Sequence, residues 1–228
     1  MVPRNKRDIP AWKIAQLLHI FQQMAGLRQW SGNPQLQKMF RRTIERLGLK
    51  RPGRQRDQNP GGDRTYAKQL ECLGLVFKRP DGSYGLTLAG QAILDGTPPL
   101  RILQTQLLRH QYPSAYGYSQ NIWINPAIRV KPFLFMLELL RRPEIQHLTD
   151  EELIIPVVYG HNHDCLDLCS AKIMALRGGQ PLADLLDNPA EDLHTRKTQN
   201  RNVAERLADV RNIANTFSCY ASSTNLVL

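Results

Sequence analysis

Long apolar runs, a dense set of cysteines and the common catalytic signatures are all missing from this 228-residue sequence. No stretch approaches the roughly 18 to 20 apolar residues needed to span a bilayer. The polar start MVPRNKRDIP has no apolar signal core behind it, so a cytoplasmic location is expected and a membrane span or secretion is not. Cys72, Cys165, Cys169 and Cys219 are too sparse for a disulfide framework, and a reducing compartment suits them. There is no Walker loop, no GxGxxG, no GxSxG elbow and no HExxH, so the usual markers of several enzyme classes are lost. Acid is also scarce in one place. Residues 1–64 hold 14 Lys and Arg against 4 Asp and Glu, while residues 65–228 hold 16 of each, so the net +10 belongs wholly to the first segment. A one-sided positive field points to a polyanion, either nucleic acid or an anionic membrane surface. The membrane surface is the weaker choice, because no helix pairs a basic face with a Trp-rich apolar one.

What is present is enough for a folded core, with 42% apolar and 22% charged residues. Ile14, Leu17, Leu18, Phe21 and Met24 recur at helical spacing, and Leu36, Met39, Phe40, Ile44 and Leu47 do the same after Asn33-Pro34. The text that follows, KRPGRQRDQNPGG, sets Lys50, Arg51, Arg54 and Arg56 among Pro, Gly and Asn, and reads as a basic loop. Asp63 is placed to cap a third helix through about residue 73, with Tyr66, Leu70 and Leu73 buried and Arg64, Lys68 and Glu71 on the opposite face. Beyond Gly74 the period turns extended: LVFKR, the turn Pro80-Asp81-Gly82, then SYGLTL, a short hairpin. Residues 89–94 and 100–109 return to helical spacing. Helix, helix, basic loop, helix, hairpin is the order of a winged helix, in which the third helix enters the DNA major groove.

After the aromatic, turn-rich stretch QYPSAYGYSQNIWINP, a second helical series is expected. It comprises residues 133–142, a helix opened by a Thr149/Glu152 capping box and interrupted by Pro156, residues 164–177 stopped by Gly178-Gly179, and residues 202–218. In the last of these Val203, Leu207, Val210, Ala214 and Phe217 form the buried stripe, and the closing NLVL reads as an apolar extended tail. The fold class expected is mainly α with short β-hairpins, as two tandem winged-helix subdomains at residues 1–110 and 132–228 joined by a linker at 111–131.

The segments DRTYAKQLECLGLVFKRPDGSYGLTLAG, LQTQLLRHQYPSAYG, INPAIRVKPFLFMLELLRR and NRNVAERLADVRNIANTFSCY give the chain a resemblance, over residues 12–228, to the DNA-recognition half of the AlwI-like type IIS restriction endonucleases and their nicking relatives. The resemblance implies two winged-helix-like subdomains clamping an asymmetric double-stranded DNA site, within a restriction–modification system, and a separate Mg²⁺-dependent PD-(D/E)xK nuclease domain or subunit. No Glu-x-Lys or Asp-x-Lys triplet occurs in the sequence, so no cofactor and no cleavage are expected of this chain alone, which reads as a recognition fragment or truncated relative.

Candidate DNA contacts follow. Arg64 and Lys68 are placed to reach bases and phosphates from the third helix, an Arg being able to pair with both guanine O6 and N7. Lys50, Arg51, Arg54 and Arg56 suit phosphates, and Arg196, Lys197, Asn200, Arg201, Asn202 and Arg206 gather at the entry to the last helix, where either Asn suits adenine. In HNHDCLDLC the residue types of His161, His163, Cys165 and Cys169 suit zinc, but their order fits no usual ligand spacing, and Cys165 and Cys169 at i, i+4 suit a core face. Tyr112, Tyr116, Tyr118 and Trp123 suit hinge packing better than base stacking. A stand-alone winged-helix transcription regulator is the alternative reading. It would normally dimerise, whereas this sequence shows no heptad and a monomer is expected.

Overall fold

The computed structural model describes residues 10–50, 61–114, 126–186 and 203–224. It is mainly helical with one two-stranded antiparallel sheet among those residues. The chain divides into two compact units, one holding residues 10–107 with 222–224 and the other Leu108–Ala221. Among the described residues no helix is long and apolar enough to cross a membrane.

The first unit begins with α1 (Ala11–Ala25) and α2 (Pro34–Arg46). Ile14, Leu17, Leu18 and Phe21 are buried along α1, as their spacing predicts. Asn33 caps α2 by accepting from the Leu36 N–H (3.1 Å), and Pro34 takes the first helical position, where a missing N–H costs nothing. The expected stripe on α2 is corrected at two points. Leu36, Phe40 and Ile44 are buried, but Met39 and Leu47 are 52% and 55% exposed. Met39 lies a third of a turn off the buried line. Leu47 stands past the last helical residue, where Gly48, at φ 70°, turns the chain so that the Leu49 N–H reaches the Ile44 carbonyl (2.9 Å) and Leu49 takes the buried place.

Next comes α3 (Gly61–Cys72), one turn's start earlier than expected, so Asp63 is its third residue and not its cap. Leu70 and Leu73 are buried, and so is Glu71, at 8% exposure, against the outward placement expected for it. Seven positions after Arg64 a helix has turned almost two full circles, but Glu71 also neighbours buried Ala67 at i+4 and lies at the edge of the core. Gly74 repeats the Gly48 device: the Leu75 N–H reaches the Leu70 carbonyl (3.0 Å) and Leu75 is fully buried. Strands β1 (Val76–Lys78) and β2 (Tyr84–Leu86) pair antiparallel with Val76 opposite Leu86 and Lys78 opposite Tyr84, across the turn read from Pro80-Asp81-Gly82. Helices α4 (Leu88–Leu94) and α5 (Pro99–Arg109) follow.

Five rings from five segments meet in this unit. Phe21 of α1 lies edge-on to Trp30 of the connecting loop (4.9 Å between centroids), Phe40 of α2 (5.7 Å) and Tyr84 of β2 (5.1 Å), and Phe40 reaches Tyr66 of α3 (6.4 Å). Burial pushes the Tyr84 hydroxyl up to about 12.

In the second unit, Tyr112 and Val130 exchange backbone hydrogen bonds (2.8 and 3.0 Å) ahead of α6 (Pro132–Leu140). The Thr149/Glu152 capping box forms, with the Thr149 N–H donating to Glu152 Oε2 (2.7 Å) and the Glu152 N–H to Thr149 Oγ1 (3.3 Å). Yet regular helix starts only at α7 (Ile154–Tyr159). Pro156 does not break that helix, because it is the third residue, where an N–H has no partner within the helix. A short 3₁₀ turn (His163–Cys165) leads into α8 (Leu166–Arg177), ended at Gly178-Gly179 as expected, then α9 (Leu182–Leu185) and α10 (Val203–Ser223). The last helix continues five residues past the expected end, because Tyr220 and Ala221 are buried and no breaker intervenes. Val210, Ala214 and Phe217 are buried on it, and Phe217 stacks on Phe133 of α6 (4.2 Å, 18°). No strand is present among the described residues of this unit. The NLVL tail at 225–228 lies outside the described residues.

Arg177 binds this unit together. Its Nε donates to Glu152 Oε1 (2.7 Å), Nη1 to the Glu144 and Ile145 carbonyls (2.9 and 3.1 Å), and Nη2 to the His147 carbonyl (2.6 Å). Burial pushes the Glu152 carboxyl up, but the Arg177 and Thr149 hydrogen bonds outweigh it and hold the group below the ordinary 4.5. A carboxylate held low in the folded state stabilises fully above its unfolded value, and the effect is lost as pH falls through the folded one. Acid unfolding followed by circular dichroism should therefore show stability declining below about pH 4.5. Glu152→Gln should lower stability at neutral pH and flatten that decline; an unchanged acid limb would contradict the assignment. A second prediction concerns Gly90 in α4, where an added Cβ would meet the Leu75 carbonyl oxygen at 2.1 Å. Gly90→Ala should cost about 1 to 3 kcal/mol, read as a lower urea midpoint with unchanged slope.

Candidate nucleic-acid interface

Among the described residues of the first unit, positive charge is displayed along α2. The core contacts of Leu36, Phe40 and Ile44 fix the rotation of this helix, and the Gln37 side chain pins it further by donating to the Trp30 carbonyl (2.9 Å). The opposite side carries Lys38, Arg42 and Arg46 at i, i+4 and i+8, all exposed, with exposed Met39 beside them. None of these three cations has an ion-pair partner among the described residues. Sequence reasoning passed over this stripe in favour of the denser loop after it, although the i, i+4, i+8 spacing and the lack of acid before Glu45 were visible.

Two of the expected contact residues have described side chains, and both are already paired. Lys50 Nζ binds Glu45 Oε1 at 2.7 Å, with the two side chains only 16% and 23% exposed. Lys68 Nζ binds Glu71 Oε2 at 3.0 Å and is 42% exposed. Glu71 is only 10% exposed in that pair, so drawing Lys68 away would leave a largely buried carboxylate without it, which is costly. Lys50 is more enclosed and mainly cancels the only acid on α2. Arg64 lies in the first turn of α3 and Arg206 in the first turn of α10, and their side chains lie outside the described residues. Arg51, Arg54, Arg56, Arg196, Lys197, Asn200, Arg201 and Asn202 also lie outside the described residues.

The hairpin is anchored at its tip. The Trp30 N–H donates to the Gly82 carbonyl (2.9 Å), and Arg79 Nη1 donates to the Gly26 and Tyr84 carbonyls (2.8 and 3.1 Å), so this arginine faces inward and crosslinks the hairpin to the end of α1. Lys78 is the exposed cation of β1. Asp81, at the turn, accepts from the Ser83 hydroxyl and N–H, which hold its carboxyl below its ordinary value.

The HNHDCLDLC residues go to separate partners. His161 Nε2 lies 2.7 Å from the Val158 carbonyl, His163 Nδ1 2.8 Å from Glu138 Oε2, and Cys165 Sγ 3.4 Å from Asn162 Oδ1. Cys169 is fully buried on α8, and burial, helped by Cys165, pushes its thiol up to about 12. Of the four aromatics Tyr112, Tyr116, Tyr118 and Trp123, only Tyr112 is described, half-buried beside Val130.

No protein-family model matches this chain, and no curated protein matches it.

The thiol geometry gives a direct check. A protonated, buried thiol is a poor nucleophile and a poor metal ligand. An aromatic disulfide reagent at about pH 8 should modify Cys165 in the folded protein and reach Cys169 only on unfolding. Equal rates at the two cysteines, mapped by mass spectrometry, would contradict this packing.

Proposed function

We propose that this chain binds double-stranded DNA sequence-specifically, as the target-recognition part of a type IIS restriction or nicking endonuclease whose cleavage centre lies in another domain or subunit. The observation that carries the DNA reading is the first unit: three mutually packed helices followed by a two-stranded hairpin, beginning within residues 1–64, which hold the whole net charge of +10. That order is the one winged-helix modules use to place a third helix in the major groove. On this reading α3 presents Arg64 and Lys68 to the bases, while Arg51, Arg54 and Arg56 ahead of it meet phosphates. Because the hairpin tip is held against the α1–α2 loop, the wing contributes through the exposed strand residue Lys78.

The second unit would act as a second arm through α10, with Arg206 in its first turn and Arg196, Lys197, Asn200, Arg201 and Asn202 leading into it. The restriction part of the proposal rests on the resemblance of the quoted segments to the AlwI-like family. Any Mg²⁺ would belong to the nuclease domain, because the sequence offers no Glu-x-Lys or Asp-x-Lys triplet to build its site.

Selection from a random duplex pool at moderate salt tests the proposal. One enriched asymmetric site of about five to seven base pairs, bound by a monomer, is the expected result. A palindromic site bound by a stable dimer would favour a transcription regulator, and a pool without enrichment would overturn sequence-specific recognition.

A further inference from the structure

We infer that the outward stripe Lys38, Arg42 and Arg46 of α2 is the surface that grips the DNA phosphate backbone, the main source of sequence-independent affinity in the first unit. This rests on the DNA-binding reading and adds to it a set of residues that the sequence did not single out. Three observations support it. The cations repeat every four residues, so they stand about 6 Å apart along the axis and form a row about 12 Å long. One strand of B-DNA advances about 3.4 Å per phosphate, so such a row runs beside three or four phosphates. All three side chains are exposed without an ion-pair partner among the described residues, unlike Lys50 and Lys68, so each can release a counterion on contact.

The third observation is how the stripe is kept positive and rigid. Glu45, the only acid of α2, is tied down by Lys50 at 2.7 Å, which removes a negative charge from the edge of the row. The far side of the helix is locked by Leu36, Phe40 and Ile44 in the core, so the row does not need to be ordered on binding. That same burial argues against a lipid surface. An interfacial helix must insert its apolar face, and here that face is consumed by the fold, leaving only Met39 exposed within the stripe.

The experiment compares wild type with the Lys38→Gln/Arg42→Gln/Arg46→Gln triple variant by fluorescence anisotropy on a labelled duplex of arbitrary sequence over a salt series. With about 0.9 lost per phosphate contact, the log–log salt slope should become shallower by about 2.5 to 3 in the triple variant. The charge-preserving Lys38→Arg/Arg42→Lys/Arg46→Lys variant should keep the wild-type slope, which separates loss of charge from loss of structure. Wild type binding with an unchanged slope in the glutamine variant would overturn the stripe and leave the DNA reading standing. Failure of wild type to bind any duplex would overturn both. Binding to phosphatidylserine vesicles in place of DNA, lost in the glutamine variant, would also overturn the inference and assign the stripe to a membrane.

Discussion

The ring of Phe21 is the constraint on which the first unit depends. It is fully buried and lies edge-on to three other rings, so the end of α1, the α1–α2 loop, α2 and β2 are all registered against one side chain. Truncating a buried Phe typically costs about 3 to 5 kcal/mol. That is a large share of the roughly 5 to 15 kcal/mol by which domains are stable. The functional consequence is rotational. Phe40 enters the same cluster from α2, and fixing its direction fixes the opposite face of the helix, where Lys38, Arg42 and Arg46 stand. A core made of edge-to-face rings is directional in a way that a core of leucines is not, and a recognition surface needs that direction more than it needs additional apolar area.

The second unit solves the same problem with charge. Arg177, at the end of α8, satisfies three loop carbonyls and the carboxylate of Glu152 at once, and Glu152 in turn receives the Thr149 N–H. Removing one partner of such a pair strands a buried charge, at about 3 to 5 kcal/mol, even where the intact pair adds little net stability. Its value lies in geometry: residues 141–153 between α6 and α7 form turns and no regular helix or strand, and Arg177 adds donors to the Glu144, Ile145 and His147 carbonyls there. Arg177 therefore substitutes for secondary structure in holding α7 near α8. The stacked Phe133 and Phe217 rings do the corresponding work for α6 and α10.

Much of this was legible in the sequence, because much of it is local. The hairpin turn, the change of period at Gly74, the stop at Gly178-Gly179 and the Thr149/Glu152 capping box are all set by residues within a few positions of each other. What escaped was non-local. The Lys50–Glu45 pair spans i, i+5 across a left-handed glycine, a spacing no helical pattern suggests. Arg79 looks like a wing cation by position, yet it reaches a carbonyl 53 residues away. Glu71 reads as surface by its charge and is buried by its neighbours. Helix existence came from periodicity, but which cations are spoken for came only from the fold.

That last point alters what the charge of the sequence means. A net +10 counts every cation equally, but a cation already paired within the protein must give up one partner to gain another, and the net return is small. An unpaired cation on a rigid helix surrenders only its hydration and loose counterions, and contributes the full salt-dependent term. Among the described residues this distinction separates Lys50 and Lys68, each paired with an enclosed carboxylate, from Lys38, Arg42 and Arg46. If the chain binds DNA as proposed, affinity and specificity would fall to different helices. On the DNA-binding reading, a row of evenly spaced charges on α2 would contact a uniform backbone and carry no sequence information, whereas α3 would offer Arg64 and Lys68 to the bases. A helix that held the duplex without reading it would leave its neighbour free to read it, and the shared packing of both helices on α1 would keep the two tasks in register.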